Sequence, residues 1–344
     1  MSVSTQLKPG LVSIIIPTYN RAELLVRSVR SVLEQDYPHK QIIVIDDGST
    51  DDTRERLAAF PEVEYRWQEH QRQAAARNLG LQCASGDYIA SLDSDDFWEP
   101  SFLSQSMSTL AGSDLGFVFS LWNPAGPTYV PEWRFNSRLR ALNDLKHYEH
   151  DPRGGWFHLT PSQTRSLFIR HCWAPSSSLV LRRNLIEQGW NTQLRVSDDW
   201  MLLLNLILKK APACAFRTEA LWTKWLDGTN ILDHSALGGA GRAQNEIHDN
   251  HIILREFAPL MTVAERRLVR QRLSRSYCDL GYHTSVGGRC KESLRVYLNA
   301  FRYHPSQRPL IEMFKALLRQ AVNPKQGSEI VPPPSGAPPT MREK

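Results

Sequence analysis

LVSIIIPTYN (11–20), QIIVIDDGST (41–50) and DYIASLDSDD (87–96) are three apolar runs that each end in polar residues, and the segments between them decide the fold. From Arg21 to Glu34 the apolar residues Leu24, Leu25, Val29, Val32 and Leu33 recur at helical spacing. STDDTRERLAAF (49–60) has the pattern of a helix start, with Ser49 or Asp51 as N-cap. VEYRW (63–67) reads as a strand and QAAARNLGLQCA (73–84) as a helix. Such alternation predicts an α/β fold of βαβ units around a mostly parallel central sheet covered on both faces. Right-handed crossovers place the carboxyl ends of the strands on one edge, where such sheets bind ligands. Thr18-Tyr19-Asn20, Asp46-Asp47-Gly48-Ser49 and Asp93-Ser94-Asp95-Asp96 are thereby delivered to one place.

The chemistry of these clusters has a specific and a plain reading. Asp93 and Asp95, two apart at a strand end, can reach one divalent cation, and Mg²⁺ and Mn²⁺ take carboxylate and phosphate oxygens. The plain alternative is a polar turn with Asp96 facing water. Asp46 can accept a hydrogen bond from a base while Gly48 permits a tight turn, although ordinary strand-turn-helix junctions use the same residues. Arg77 offers a fork of donors that matches phosphate or carboxylate; alone it reads rather as a solvated helix residue. Asp198 and Asp199 open the helical run SDDWMLLLNLILKKAP, where acids are ordinary macrodipole partners but could also hold a catalytic base. Trp156, Trp173, Trp190, Trp200, Trp222 and Trp225 crowd the second half and are read mostly as core.

Beyond residue 120 the alternation stops. Residues 121–175 are rich in Pro, Gly and aromatics, residues 241–322 read as entirely helical, and the Pro-rich residues 323–344 read as disordered. Charge is distributed unevenly: residues 1–120 carry 10 basic and 17 acidic residues, and residues 251–344 carry 16 and 7. Five cysteines without a CxxC or zinc-ligand spacing argue against a disulfide framework and a structural zinc site. No signal-peptide pattern and no apolar run of membrane-spanning length is visible, so a cytoplasmic location is expected, with peripheral membrane contact through the basic helical tail as an option. The GxGxxG, Walker A and HExxH patterns are absent, which removes the main support for dinucleotide oxidoreductases, P-loop NTPases and zinc proteases.

Taken together, VSIIIPTYNRAELLVRSVRSVLEQDYP, QIIVIDDGSTDDT, AARNLGLQCASGDYIASLDSDD and SDDW resemble the family 2 inverting glycosyltransferases in order and separation, over about residues 11–226. The resemblance implies a GT-A fold over 11–240, with a nucleotide-sugar half (11–120) and an acceptor half (121–240). This is flanked by an N-terminal extension (1–10) and by the helical extension (241–322) seen on bacterial members. Pro17, Tyr19, Asp46, Arg77 and Asp93 would bind the donor nucleotide, and Asp95 with Asp93 would hold Mn²⁺ or Mg²⁺. Asp199 would be the general base, with Asp198 its neighbour in a motif that usually begins with glutamate. Where many relatives carry a histidine after the base, this chain has LWTKWLDGTNI, so Lys224 could neutralise the diphosphate, with His234 as a fallback ligand and Trp200 near the acceptor.

The implied activity is metal-assisted, inverting transfer from a nucleotide-sugar, with UDP as the default nucleotide, to a glycan or lipid-linked acceptor hydroxyl. A non-catalytic nucleotide-sugar-binding scaffold of the same fold is the alternative, and nucleic acid is not an expected partner.

Overall fold

The computed structural model describes residues 7–128, 148–151, 154–228 and 238–322. Its first half is the expected alternation: β1 (Lys8–Thr18), α1 (Ala22–Leu33), β2 (Lys40–Asp46), α2 (Thr53–Leu57), β3 (Val63–Trp67), α3 (Gln73–Cys83) and β4 (Gly86–Ser91). These strands pair in parallel in the order β3-β2-β1-β4. The register puts Thr18 beside Asp46 and Asp46 beside Trp67, so the polar strand ends share one edge.

Both faces of this sheet are covered. Ile14, Ile16, Ile42 and Val44 pack with Leu25, Val29 and Val32 of α1, while Ile15, Ile43 and Ile45 pack with Ala74, Ala76 and Leu81 of α3. Successive strand residues point to opposite faces, which is why these strands read as continuous apolar runs. Each such side chain removed from water is worth about 1.5–3 kcal/mol. Gly80 lets α3 lie against β1, because a Cβ there would stand 2.4 Å from Ile15 Cγ2. The expected cap of α2 is corrected: its N-cap position is Asp52, and the Asp51 carboxylate instead accepts N–H bonds from Thr53 and from Ala22 at the start of α1.

The second half comprises β5 (Phe97–Trp98), α4 (Phe102–Leu110), β6 (Leu115–Ala125), β7 (Glu149–Asp151), β8 (Trp156–Leu159), α5 (Pro161–Phe168), β9 (Leu179–Arg182), α6 (Asp198–Lys210) and β10 (Ala213–Trp225). β9 lies antiparallel between β4 and β6, whereas β10 runs parallel to β6 and antiparallel to β8 and β5. The ten-stranded sheet is therefore parallel in its first half and mixed beyond. The reversal has a consequence for the site: the chain enters β9 from the edge where β1, β2 and β4 end, bringing Ser176–Ser178 there.

The chain continues through α7 (Gly238–Phe257), α8 (Val263–Val286), α9 (Cys290–Tyr303) and α10 (Gln307–Val322). This extension shares a core with α6, in which Trp200, Met201 and Leu204 pack with Ile252, Ile253, Phe257 and Val269. Trp156, Trp173, Trp190, Trp200 and Trp222 are all buried, as the core reading expects. Among the described residues no helix is long and apolar enough to cross a membrane. The expected disorder of 323–344, the 129–147 part of the irregular stretch and His234 lie outside the described residues.

Candidate active site

The β2–α2 junction builds one end of the cleft. Asp46, at the last position of β2, accepts the Ser49 N–H and the Tyr65 hydroxyl, each at 2.8 Å. Asp47 accepts the Gln71 and Arg72 N–H groups at 2.8 and 2.7 Å and the Gln68 side-chain amide at 2.6 Å. These bonds hold Arg72 at a positive φ (73°) just before α3. Gly48 has φ 86°, and a Cβ there would meet the His70 N at 3.0 Å, so only glycine fits the turn. The Tyr19 ring, half exposed, lies 4.3 Å from the His70 ring and forms a flat wall beside this turn.

The turn after β4 holds the acidic cluster. Carboxylate oxygens of Asp93, Asp95 and Asp96 lie within 4.8 Å of one another. Asp95 pairs with Arg21. Asp96 is fully buried, accepts the Ser177 hydroxyl at 2.7 Å and the Trp225 N–H at 3.2 Å, and stands 3.8 Å from Lys224 Nζ. Asp93 keeps a side-chain exposure of 30% and accepts from Arg77 Nη2 at 2.6 Å.

The N-terminus of α6 faces the same point. Asp198 accepts from Arg77 Nη1 at 2.7 Å and from the Gln73 amide at 3.1 Å. Asp199, 22% exposed, lies 3.5 Å from Arg77 Nη1 and accepts both the N–H and the hydroxyl of Ser176. Arg77, 1% exposed, thus joins the acidic turn to α6. The loop entering α6 is held in turn by Asp249 of α7, whose buried carboxylate accepts the N–H groups of Arg195, Val196 and Ser197 at 3.0, 2.8 and 2.8 Å.

Electrostatics follow from this inventory. Five carboxylates (Asp93, Asp95, Asp96, Asp198, Asp199) stand against Arg77, Lys224 and Arg21. Burial, with the Asp95 and Asp93 charges adding to it against Lys224, pushes Asp96 up to about 7. Burial and neighbouring Asp199 push Asp198 up to about 6 although Arg77 opposes them. Asp95 is also raised, chiefly by burial, whereas Arg77 and Lys224 outweigh burial and hold Asp93 below the usual carboxylate range. Burial disfavours the Lys224 and Arg77 charges, yet the surrounding carboxylates raise both. A surplus of negative charge with clustered oxygen donors fits a hard divalent cation such as Mg²⁺ or Mn²⁺.

Most sequence-predicted residues meet at this edge: Tyr19, Asp46, Arg77, Asp93, Asp95, Asp198, Asp199 and Lys224. Pro17 is buried within β1, paired with Ile45. Trp200 is a correction: it is 1% exposed, donates to the Phe168 carbonyl at 2.7 Å and packs between α6 and the extension, so no face remains for an acceptor. The plain alternative of a polar turn with Asp96 facing water does not hold, since Asp96 is buried. Arg21, Ser176, Ser177 and Asp249 escaped the sequence reading; only the triple serine before an apolar strand offered a local signal.

Comparison with known proteins agrees with the geometry. Residues 13–171 match the family model for glycosyl transferase family 2. Over 112 residues the chain is 38% identical to the UDP-Glc:alpha-D-GlcNAc-diphosphoundecaprenol beta-1,3-glucosyltransferase WfgD of Escherichia coli, covering 32% of this chain and 44% of WfgD. The matched regions span about half or less of the curated relatives. The fold is similar to that of S. aureus TarS 1-349 in complex with UDP-GlcNAc (TM-score 0.56, 14% identity, 90% of this chain and 92% of that one). It is also similar to the mannosyltransferase PcManGT from Pyrobaculum calidifontis in complex with GDP-Man and Mn²⁺ (TM-score 0.52, 21% identity, 92% and 88%).

Proposed function

We propose, from the premise that this chain is a family 2 glycosyltransferase with a GT-A fold, that it moves a sugar from a UDP-sugar to a hydroxyl of a glycan or lipid-linked acceptor, with inversion. The observation that carries this reading is Arg77: one buried guanidinium bonds Asp93 at 2.6 Å and Asp198 at 2.7 Å, and lies 3.5 Å from Asp199. The cation-binding acids and the candidate base are thereby held across one cleft. The choice of UDP is supported by the UDP-Glc in the name of WfgD and by the UDP-GlcNAc complex of TarS.

In this reading the Asp46 turn and Tyr19 bind the nucleoside, with Pro17 buried behind them in β1, and Asp93, Asp95 and Asp96 would hold Mn²⁺ or Mg²⁺. A bound divalent ion supplies Lewis-acid stabilisation of the departing diphosphate. Lys224 adds positive charge on the same side. Asp199 takes the proton of the acceptor hydroxyl as that oxygen attacks the anomeric carbon opposite the leaving group. Ser176 orients the Asp199 carboxylate by donating to both of its oxygens.

Calorimetric titration of UDP, dTDP and GDP, with Mn²⁺ and with EDTA, tests the donor site. UDP is expected to bind with Mn²⁺ and to lose binding in EDTA or in Asp95→Asn. Asp199→Asn is expected to keep UDP binding while turnover of the matching UDP-sugar falls about a hundred- to ten-thousandfold. Near-normal turnover in Asp199→Asn removes the base assignment, and absence of nucleotide binding by folded protein removes the transferase reading.

A further inference from the structure

Helix α10 carries two apolar faces, and only one is packed. Pro309, Met313 and Ala316 turn toward the extension, where Ala316 and Met313 join Cys278, Tyr297 and Ala300 in a small core. Leu310, Ile311, Phe314, Leu317 and Leu318 form a second stripe at positions i, i+1, i+4, i+7 and i+8. Their exposures are 50%, 49%, 63%, 48% and 49%. They are five of the thirteen exposed large apolar side chains among the described residues, all on one face of one helix.

The surroundings of the stripe are basic. Arg308, Lys315 and Arg319 accompany it on α10, against Glu312 alone. The helix packed beside it, α9, carries Lys291, Arg295 and Arg302, all exposed, against Glu292. The Arg308–Asp279 and Lys315–Glu312 pairs are surface contacts with cation exposures of 55% and 51%, so these charges remain available to an anionic surface. Residues 251–344 carry 16 basic against 7 acidic residues.

We infer that this face of α10 docks onto an anionic phospholipid bilayer, with the helix lying in the interface plane. Sixteen residues give a helix about 24 Å long, too short and too charged to span the hydrocarbon. An apolar stripe bordered by Lys and Arg is the pattern of a helix that lies on a membrane, its aliphatic and aromatic side chains entering the acyl boundary while the cations meet the headgroups. A second copy of the chain fits less well, because stripe-to-stripe pairing would bring the Arg308, Lys315 and Arg319 sets of both copies together. The inference rests on the extension and holds whatever reaction the cleft performs.

Flotation of the full chain with vesicles of phosphatidylcholine, with and without phosphatidylglycerol, tests it. Wild type should float with the anionic vesicles at low salt, more weakly at high salt, and little with phosphatidylcholine alone. Phe314→Ser combined with Leu317→Ser alters only exposed positions. This variant should bind anionic vesicles at least about tenfold more weakly, with an unchanged circular dichroism spectrum and unchanged UDP binding. Three results overturn the inference: no flotation of wild type at low salt, undiminished flotation of the double variant, or a wild-type dimer in sedimentation that the double variant abolishes.

Discussion

At the scale of the residue, the site turns on whether one arginine can balance several acids. Arg77 uses both terminal nitrogens on carboxylates from different elements, and its Nε has no hydrogen-bond partner among the described residues. Asp198 nonetheless sits up at about 6, mainly because it is buried and adjoins Asp199. Removing the guanidinium leaves these acids facing one another without compensation, which typically costs about 3–5 kcal/mol in a buried pair. Arg77→Met is therefore expected to lower the unfolding free energy by that amount, read as a lower urea midpoint at an unchanged slope. Arg77→Lys should recover only part, because an ammonium cannot bridge two carboxylates as a planar fork does. An Arg77→Met protein within about 1 kcal/mol of wild type would show that the acids are held by other means.

At the scale of the element, the decisive piece is the start of α6. Its sequence side was legible: two acids, an apolar run and two terminal lysines mark a helix whose N-terminus presents Asp198 and Asp199. What anchors that end was not legible, because Asp249 lies some fifty residues later in a helix whose local pattern is merely polar. The same holds for Ser176 and Ser177, which reach the cleft only because β9 runs antiparallel between β4 and β6, an order no local periodicity encodes. Strands β1 to β4 were readable because runs buried on both faces stop at turn residues; the burial of Asp96 was not readable, because it depends on β10 closing over it. Asp249→Ala removes the acceptor of three backbone N–H groups, at a cost of about 1–3 kcal/mol. With α6 less firmly placed, kcat for the matching UDP-sugar should fall at least about tenfold while the donor KM moves little, and Asp249→Asn should restore part of kcat. Equal kcat in folded Asp249→Ala would reduce the contact to a structural one.

At the scale of the whole molecule, the helical extension is fastened to the α/β domain by the shared core around Trp200, by the Asp249 carboxylate on the loop before α6, and by an ion pair. Arg165 of α5 meets Glu265 at the start of α8 through Nε and Nη2, at 2.7 and 2.9 Å, and also donates to the Leu260 carbonyl at 2.7 Å. Glu265 additionally closes the capping box of α8 with Thr262. The Arg165 bond, outweighing burial and helped by Thr262, holds the Glu265 carboxyl down at about 2. A carboxyl whose folded value is depressed contributes its stability above the unfolded value, near 4.3, and loses it as pH falls through the folded value. After discounting for the partly exposed arginine, that contribution is about 1–2 kcal/mol at neutral pH. Glu265→Gln should therefore lower the urea midpoint at pH 7, and the gap to wild type should narrow below about pH 5 and lose more than half its size near pH 3. Urea titrations of both proteins across that range make the measurement. A gap that stays constant with pH would show that the Glu265 charge contributes nothing to the fastening. A gap that closes on schedule would make this pair an acid-sensitive seam between the basic extension and the cleft it helps to position.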